Sequence, residues 1–165
     1  MVPINLVSLV EEVVVANTGY GVEYGVTLVY SETDEILTVN ADKDCLMQVM
    51  ANLLSNAVKF SLTGGKVEVS VGLHNMRARI IVKDYGCGIP EKAHLTIFDR
   101  FTQADSLDRW AKGGMGLGLN IAKAIVDAHD GTTSFISELS EGTAFYVDLP
   151  AVDAESVQQT NEMEK

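Results

Sequence analysis

The fold is decided by the stretch QVMANLLSNAVKF, residues 48–60, whose apolar residues recur at helical spacing. At about 100° per residue, Asn52, Asn56 and Lys59 fall on one narrow stripe of that helix. Large apolar residues occupy both flanks, so we expect the stripe to line a groove. The groove would offer amide oxygens to a hard cation and a positive charge to an anion. The alternative is a solvated helix face, which more often carries Glu and Lys than paired Asn.

Composition restricts the classes of function. The chain has 165 residues, 47% of them hydrophobic, which suits one domain with a full core. Its 12 Lys and Arg against 23 Asp and Glu give a formal net charge of −11, which argues against nucleic acid or a membrane surface as the main partner. Cys45 and Cys87 lack metal-ligand spacing, and the chain has no signal peptide or long apolar run. We therefore expect a cytoplasmic domain, with any membrane anchor elsewhere in a longer parent protein.

The order of the predicted elements indicates one α/β (α+β) domain. The expected helices cover 6–16, 43–60, a segment after Pro90 and 117–128, and the expected strands cover 26–30, 36–40, 66–73, 77–83, 132–137 and 143–149. Hairpins outnumber crossovers, so the predicted fold is a two-layer sandwich with a mixed, mostly antiparallel sheet on one layer of about three helices. We expect this domain to span 1–150 and the acidic residues 151–165 to form a disordered tail or linker.

A second motif, Asp84-Tyr85-Gly86-Cys87-Gly88-Ile89-Pro90, follows a predicted strand. An ionised Asp there is a hydrogen-bond acceptor that suits an exocyclic amine such as that of adenine, and the two glycines let a ligand approach the backbone. The alternative is a structural turn between a strand and a helix, for which such Asp and Gly residues are also typical.

A third motif, Lys112-Gly113-Gly114-Met115-Gly116-Leu117-Gly118-Leu119, leads directly into a helix. Glycine amides at a helix N-terminus form an anion cradle that phosphate commonly occupies. No strand precedes the motif, which excludes a Rossmann site, and no Gly-Lys-Ser/Thr is present, which excludes a P-loop.

In this order, the motifs closely resemble those of the catalytic ATP-binding domain of sensor histidine kinases, in the gyrase, Hsp90, histidine kinase and MutL superfamily. The resemblance covers essentially residues 4–150 and includes Ile97–Phe101, similar to the phenylalanine box, and Gly142–Pro150, similar to the closing strand. It implies a Bergerat-type ATP-binding fold that binds ATP and Mg²⁺. Residues 103–113 would form the lid over the nucleotide.

The resemblance also implies roles for residues of the long helix. Asn56 would bind a Mg²⁺ that bridges the phosphates, Asn52 would support the same region, and Lys59 would pair with a phosphate oxygen. These three are the expected catalytic residues, and Phe60 would pack beside the base or ribose. Hydrolytic relatives have a Glu where this chain has Asn52, and a carboxamide is not a general base. Transfer to a protein histidine is therefore favoured over hydrolysis.

The remaining nucleotide contacts are implied for the other two motifs and the closing strand. Asp84 would accept from the adenine amine, with Thr143 helping through its hydroxyl or a water. The other expected cofactor-binding residues are Gly86, Gly88, Ile89, Gly113, Gly114, Met115, Gly116, Leu117, Gly118 and Leu119. Met115 stands where the family often has Thr or Ser, so its backbone amide would contact the phosphate instead of a hydroxyl.

The phosphoacceptor is expected on another domain. In the family, the acceptor histidine lies in a helical dimerisation domain, and none of His74, His94 and His129 resembles it. His129, at a helix C-terminus, is expected to be partly cationic. The expected partners are ATP, that helical domain and a response regulator. Two alternatives remain: an anti-sigma-type serine kinase of the same fold, and a nucleotide-gated interaction module that transfers nothing.

Overall fold

The computed structural model describes residues 1–89 and 115–152, without the side chains of 115–118. Within these ranges the elements are, in chain order, β1 Val2–Asn5, α1 Leu6–Glu23, β2 Thr27–Tyr30, β3 Thr38–Ala41, α2 Lys43–Phe60, β4 Lys66–His74, β5 Arg77–Asp84, α3 Met115–Ala128, β6 Thr132–Glu138 and β7 Gly142–Val152. The predicted helix after Pro90, the segment 97–101, the lid 103–113 and the tail beyond Val152 lie outside the described residues.

The described strands form one seven-stranded sheet in the order β1-β3-β7-β5-β4-β2, with β6 also paired to β7. The β2–β4 pair is parallel, and the other pairs are antiparallel. Strand β7 pairs along most of its length with both β5 and β6, so these two strands lie on its opposite edges. This is the mixed, mostly antiparallel sheet with three helices that the sequence predicts.

The core lies between the sheet and the helices. On α2, Leu46, Met50, Leu53 and Leu54 are buried, as the helical spacing predicts. Burial alternates along β5, where the fully buried side chains are Ala78, Ile80, Val82 and Asp84. Because alternate residues of a strand share a face, Asp84 projects to the helix side of the sheet in line with core residues.

Helix α1 differs from its prediction. The sequence predicts that it ends near residue 16, before the glycines at 19 and 21, yet it continues through both to Glu23. Gly21 is buried, and a Cβ there would lie 2.6 Å from the backbone oxygen of Val26. The glycine therefore permits a close approach of the chain that returns toward β2, instead of breaking the helix.

Several element boundaries and one strand also differ, and β3 begins at Thr38, two residues after its predicted start. Helix α3 begins at Met115, two residues before the predicted start. Strand β7 continues to Val152, and its last two residues pair with β3, so the predicted tail boundary at residue 151 falls two residues too early. Strand β1 was missed because it is a four-residue, largely exposed strand with little hydrophobic pattern.

His129 connects the end of α3 to the start of α2 through hydrogen bonds. The backbone N–H of Asp42, the N-cap of α2, donates to His129 Nε2 at 3.1 Å, and His129 Nδ1 lies 2.8 Å from the backbone oxygen of Ile125. These two contacts join the last turn of α3 to the first turn of α2. The expectation of a partly cationic ring stays a prediction.

Candidate functional site

Helix α2 carries the predicted amide stripe toward its C-terminal end. Asp42 caps its start by accepting from the backbone N–H of Cys45 at 3.1 Å, and it ends at Phe60. The three residues of the stripe differ in exposure: Asn52 is partly exposed, Asn56 is only 3% exposed and Lys59 is exposed. The two asparagines are thus more sheltered than the lysine, as a groove-lining stripe with a charged rim requires.

Asn56 has unused hydrogen-bonding capacity. Its Nδ2 is buried and has no hydrogen-bond partner among residues 1–89 and 115–152. A buried polar group left unpaired costs about 1–3 kcal/mol, so few persist in a folded protein without a reason. On a stripe of amides, an unpaired carboxamide is suited to a polar ligand that the protein binds from outside.

The turn after β5 is held against the end of α2. The backbone N–H of Cys87 donates to the backbone oxygen of Phe60 at 3.3 Å. A Cβ on Gly86 would lie 1.8 Å from that same oxygen, so no other residue fits. The turn therefore brings Asp84 next to the last turn of the helix that carries Asn56.

The conformation and the close neighbours of Gly88 also require a glycine. Its φ is +76°, and a Cβ would lie 2.3 Å from the backbone oxygen of Glu138 in β6. The backbone N–H of Ser140 donates to the oxygen of Cys87 at 2.9 Å. The two glycines thus accommodate the protein's own backbone, whereas the sequence analysis expected that space to serve a ligand. Contacts from Gly86, Gly88 and Ile89 to a nucleotide stay predictions.

Asp84 is a buried carboxyl group that accepts hydrogen bonds from backbone N–H groups. Only 2% of it is exposed, and its Oδ1 accepts from the backbone N–H of Gly86 at 3.0 Å. Burial raises the pKa of Asp84 to about 6, although hydrogen bonds from the backbone N–H groups of Gly86 and Thr143 oppose the rise. At neutral pH the group is therefore mainly a carboxylate, an acceptor inside an apolar surrounding.

Thr143 is the neighbour of Asp84 in the sheet. The β5–β7 register pairs these two residues directly, and Thr143 is 4% exposed. Its hydroxyl lies 2.9 Å from Ser137 Oγ, a residue that sequence reasoning missed. The predicted hairpin ended its first strand at Ser137 and began its second at Thr143, so the pairing register was the signal that could have found it.

The glycine motif before α3 is described only from Met115 onward. Gly113 and Gly114 lie outside the described residues, while Met115, Gly116, Leu117 and Gly118 form the start of the helix. The first amides of a helix lack intrahelical partners and attract anions, so this placement suits the predicted phosphate cradle. Leu119 is fully buried in the core, and α3 packs against α2.

The donor set fits one kind of metal. Among the described residues no group of three or more His, Cys, Asp or Glu side chains is placed to hold a metal ion. Mg²⁺ typically uses one or two protein ligands together with water and substrate phosphates. The single Asn56 amide therefore fits a Mg²⁺ that arrives with a phosphate ligand, and it does not fit a resident all-protein metal centre.

A second concave surface lies on the other face of the sheet. It encloses about 780 Å³, and its lining includes Ile81, Lys83, Tyr85, Ile136 and Tyr146. Asn56 and Asp84 are not part of it, but Thr143, the residue paired with Asp84, also contributes to its lining. The two concave regions therefore adjoin at Thr143.

A family match, similar sequences and similar solved structures all relate the chain to histidine kinases. Residues 41–153 match the family described as histidine kinase-, DNA gyrase B-, and HSP90-like ATPase. The chain is 43% identical over 114 residues to the sensor histidine kinase YkoH of Bacillus subtilis, covering 68% of this chain and 25% of that protein. It is 41% identical over 127 residues to the autoinducer 2 sensor kinase/phosphatase LuxQ of Vibrio vulnificus, covering 73% of this chain and 15% of that protein.

Among solved structures, full-length ShkA in complex with AMPPNP matches with a TM-score of 0.78 at 28% identity, over 92% of this chain and 31% of ShkA. The chain thus spans only about a quarter or less of the two curated relatives. The family match extends from the start of α2 through the whole of β7, and so includes Asn56, Asp84 and Thr143. The chain belongs to the family of histidine kinase-, DNA gyrase B- and HSP90-like ATPases, and its relatives there are sensor histidine kinases.

Proposed function

We propose that this chain is the catalytic ATP-binding domain of a sensor histidine kinase. It transfers the γ-phosphoryl group of Mg-ATP to a histidine on a separate helical dimerisation domain. The observation that carries the proposal is that two buried polar groups lie toward the same end of α2: the unpartnered amide nitrogen of Asn56 and the carboxylate of Asp84. The Asn56 nitrogen can donate to a phosphate oxygen while the amide oxygen faces a metal ion, and the carboxylate can accept from an amine-bearing base.

The adenine end of the site is assigned to Asp84 and Thr143. A buried carboxylate accepts strongly from an exocyclic amine, because no water competes inside the pocket. Phe60, partly buried at the end of α2, supplies an apolar surface for the base or ribose. The complex of ShkA with AMPPNP supports an adenine nucleotide as the ligand.

The phosphate end is assigned to α2 and to the start of α3. Asn56 would hold Mg²⁺ through its amide oxygen, and the exposed Lys59 would neutralise phosphate charge at the rim. The residues from Gly113 to Gly118 would cradle the phosphates by their backbone amides. The bound cation would supply charge neutralisation, since phosphoryl transfer rests mainly on positioning and electrostatics.

Asn52 favours transfer over hydrolysis. It lies one helical turn before Asn56, on the same stripe of α2, and is partly exposed. A carboxamide there can position a ligand but cannot remove a proton from water near neutral pH. The phosphoryl group would therefore be transferred to a protein side chain and not to water.

The remaining partners follow from the resemblance. The chain spans 25% of YkoH and 15% of LuxQ, and the helical acceptor domain and further domains would lie in the rest of a similar parent protein. A response regulator would receive the phosphoryl group from that histidine. We place the domain in the cytoplasm, as the resemblance implies. Among the described helices, none has the length and hydropathy of a membrane span. We assign the catalytic domain to residues 1–150, extended by the last two residues of β7.

The test is transfer of label from [γ-³²P]ATP to the helical domain of the same parent protein. The expected product is a phosphohistidine that acid destroys and base preserves. An acid-stable phosphoserine would instead support the anti-sigma-type kinase. Nucleotide binding with no label in the helical domain would support an interaction module, and either result would overturn the proposal. Asn56→Ala serves as the inactive control.

A further inference from the structure

Three polar side chains form a row on the core-facing side of the sheet. The register pairs Asp84 of β5 with Thr143 of β7, and Thr143 with Ser137 of β6. Residues paired directly on neighbouring strands point to the same face. Asp84 and Thr143 are buried, and Ser137 is partly buried at the open end of the row.

Ser137 connects the row to the glycine turn. The backbone N–H of Ile89 donates to Ser137 Oγ at 2.6 Å. Ser137 Oγ also lies 2.9 Å from Thr143 Oγ1 and 3.2 Å from the backbone oxygen of Gly142. One hydroxyl therefore contacts both the turn that follows Asp84 and the side chain paired with Asp84.

The number of protons and lone pairs on the Ser137 hydroxyl determines which hydrogen-bonding roles the Thr143 hydroxyl can take. A serine hydroxyl has one proton and two lone pairs, and the N–H of Ile89 occupies one lone pair. Its proton goes either to Thr143 Oγ1, the shorter of the two contacts, or to the backbone oxygen of Gly142, in which case Thr143 donates to Ser137. When Ser137 donates to Thr143, the proton of Thr143 is free to be donated elsewhere.

When Ser137 donates to Thr143, the site offers an acceptor, Asp84, and a donor, Thr143, side by side. Adenine presents an amine donor at N6 next to an acceptor at N1, which matches the Asp84 carboxylate and a donating Thr143. Guanine presents an acceptor at O6 next to a donor at N1, which mismatches both groups. A buried site with fixed hydrogen-bond roles rejects a mismatched analogue strongly, because its own polar groups are left unpaired.

We propose that Ser137 is a positioning residue for base selection: it holds the hydroxyl of Thr143 as a donor beside Asp84 and thereby makes the site prefer adenine over guanine. The proposal rests on the nucleotide-binding function proposed above. Ser137 acts through Thr143, and it need not touch the base itself.

The test compares Ser137→Ala with Ser134→Ala, the same change at an exposed position of the same strand. Affinities for ATP and GTP are measured separately by competition against a fluorescent ATP analogue. Ser137→Ala is expected to weaken ATP binding about five- to tenfold and GTP binding less than twofold, as loss of one oriented hydrogen bond requires. Ser134→Ala should match the parent chain. An equal loss for both nucleotides, or none, would overturn the proposal.

Two further comparisons separate positioning from packing. Ser137→Thr keeps the hydroxyl and should retain the ATP preference, whereas Ser137→Val, of the same shape, should lose it; this pair also replaces Ser137→Ala if that variant does not fold. In a Thr143→Val background, Ser137→Ala should no longer change the ATP/GTP ratio. An additive loss there would show that Ser137 does not act through Thr143.

The two proposals fail in different ways. If the parent chain binds neither nucleotide, the nucleotide site and the role of Ser137 are refuted together. If the parent chain prefers ATP and every Ser137 variant keeps that preference, only the role of Ser137 is refuted.

Discussion

Replacing Asp84 by Asn is expected to stabilise the nucleotide-free chain at neutral pH. Burial raises the pKa of Asp84 from 3.8 to about 6, which means that the fold disfavours the charged form. The shift is about two units, and at about 1.4 kcal/mol per unit the buried carboxylate costs on the order of 3 kcal/mol at pH 7. Asn also lacks one acceptor for the nearby N–H groups, so we expect a net gain of about 1–3 kcal/mol.

The sign of the pH dependence is specific. A carboxyl group whose pKa is higher in the folded than in the unfolded state binds its proton more tightly in the fold, so its contribution to stability is fully present below pH 4 and is lost as pH rises to about 6. The gain from Asp84→Asn should therefore be smallest near pH 4, grow through pH 6 and stay constant above about pH 7.

Urea unfolding at several pH values measures this difference directly. Subtracting the free energy of unfolding of the parent chain from that of Asp84→Asn removes the titration of all other groups. Asp34→Asn, the same change at an exposed carboxylate, is the matched control. A pH-independent difference, or a variant less stable than the parent chain at pH 7, would refute the reasoning. Binding of ATP should weaken in the stabilised variant, since the carboxylate is retained for its ligand.

Four other substitutions test the packing, hydrogen-bond and charge arguments. Gly86→Ala should destabilise the fold by about 2 kcal/mol or more in urea unfolding, because its Cβ would meet the oxygen of Phe60, whereas Gly19→Ala, in open space on α1, should stabilise it by about 0.5–1 kcal/mol; equal effects would contradict the packing argument. His129→Ala should lower stability by about 1–3 kcal/mol by leaving the N–H of Asp42 unpaired, and an unchanged unfolding midpoint would exclude that hydrogen bond. Lys59→Ala should weaken nucleotide binding severalfold because a positive charge at the rim is lost; calorimetric titration measures this, and an unchanged affinity would contradict the role of Lys59.

Much of the fold follows from local pattern. The apolar spacing of residues 48–60 predicts α2, and Asp42 caps it as the sequence indicates. The β4–β5 hairpin is also predicted; its turn residues are Asn75 and Met76, both with positive φ, and β4 ends at His74, one residue beyond its predicted end. Met is an unusual residue for that conformation, so no turn motif marks the position in the sequence.

The errors come from contacts between distant segments. Gly86 is a glycine because backbone of α2 lies where a side chain would be, and no local rule reveals that neighbour. The hydrogen bond from the N–H of Asp42 to His129 likewise joins residues that are far apart in sequence. Ser137 becomes significant only when the register across β6, β7 and β5 places it in line with Asp84.

The most direct test of the proposed site is calorimetric titration of the chain with AMPPNP, with and without Mg²⁺. We predict binding that Mg²⁺ strengthens and that Asn56→Ala abolishes, while thermal unfolding shows that the variant remains folded. Absence of binding to the folded parent chain, or binding that is identical in Asn56→Ala, would contradict the account.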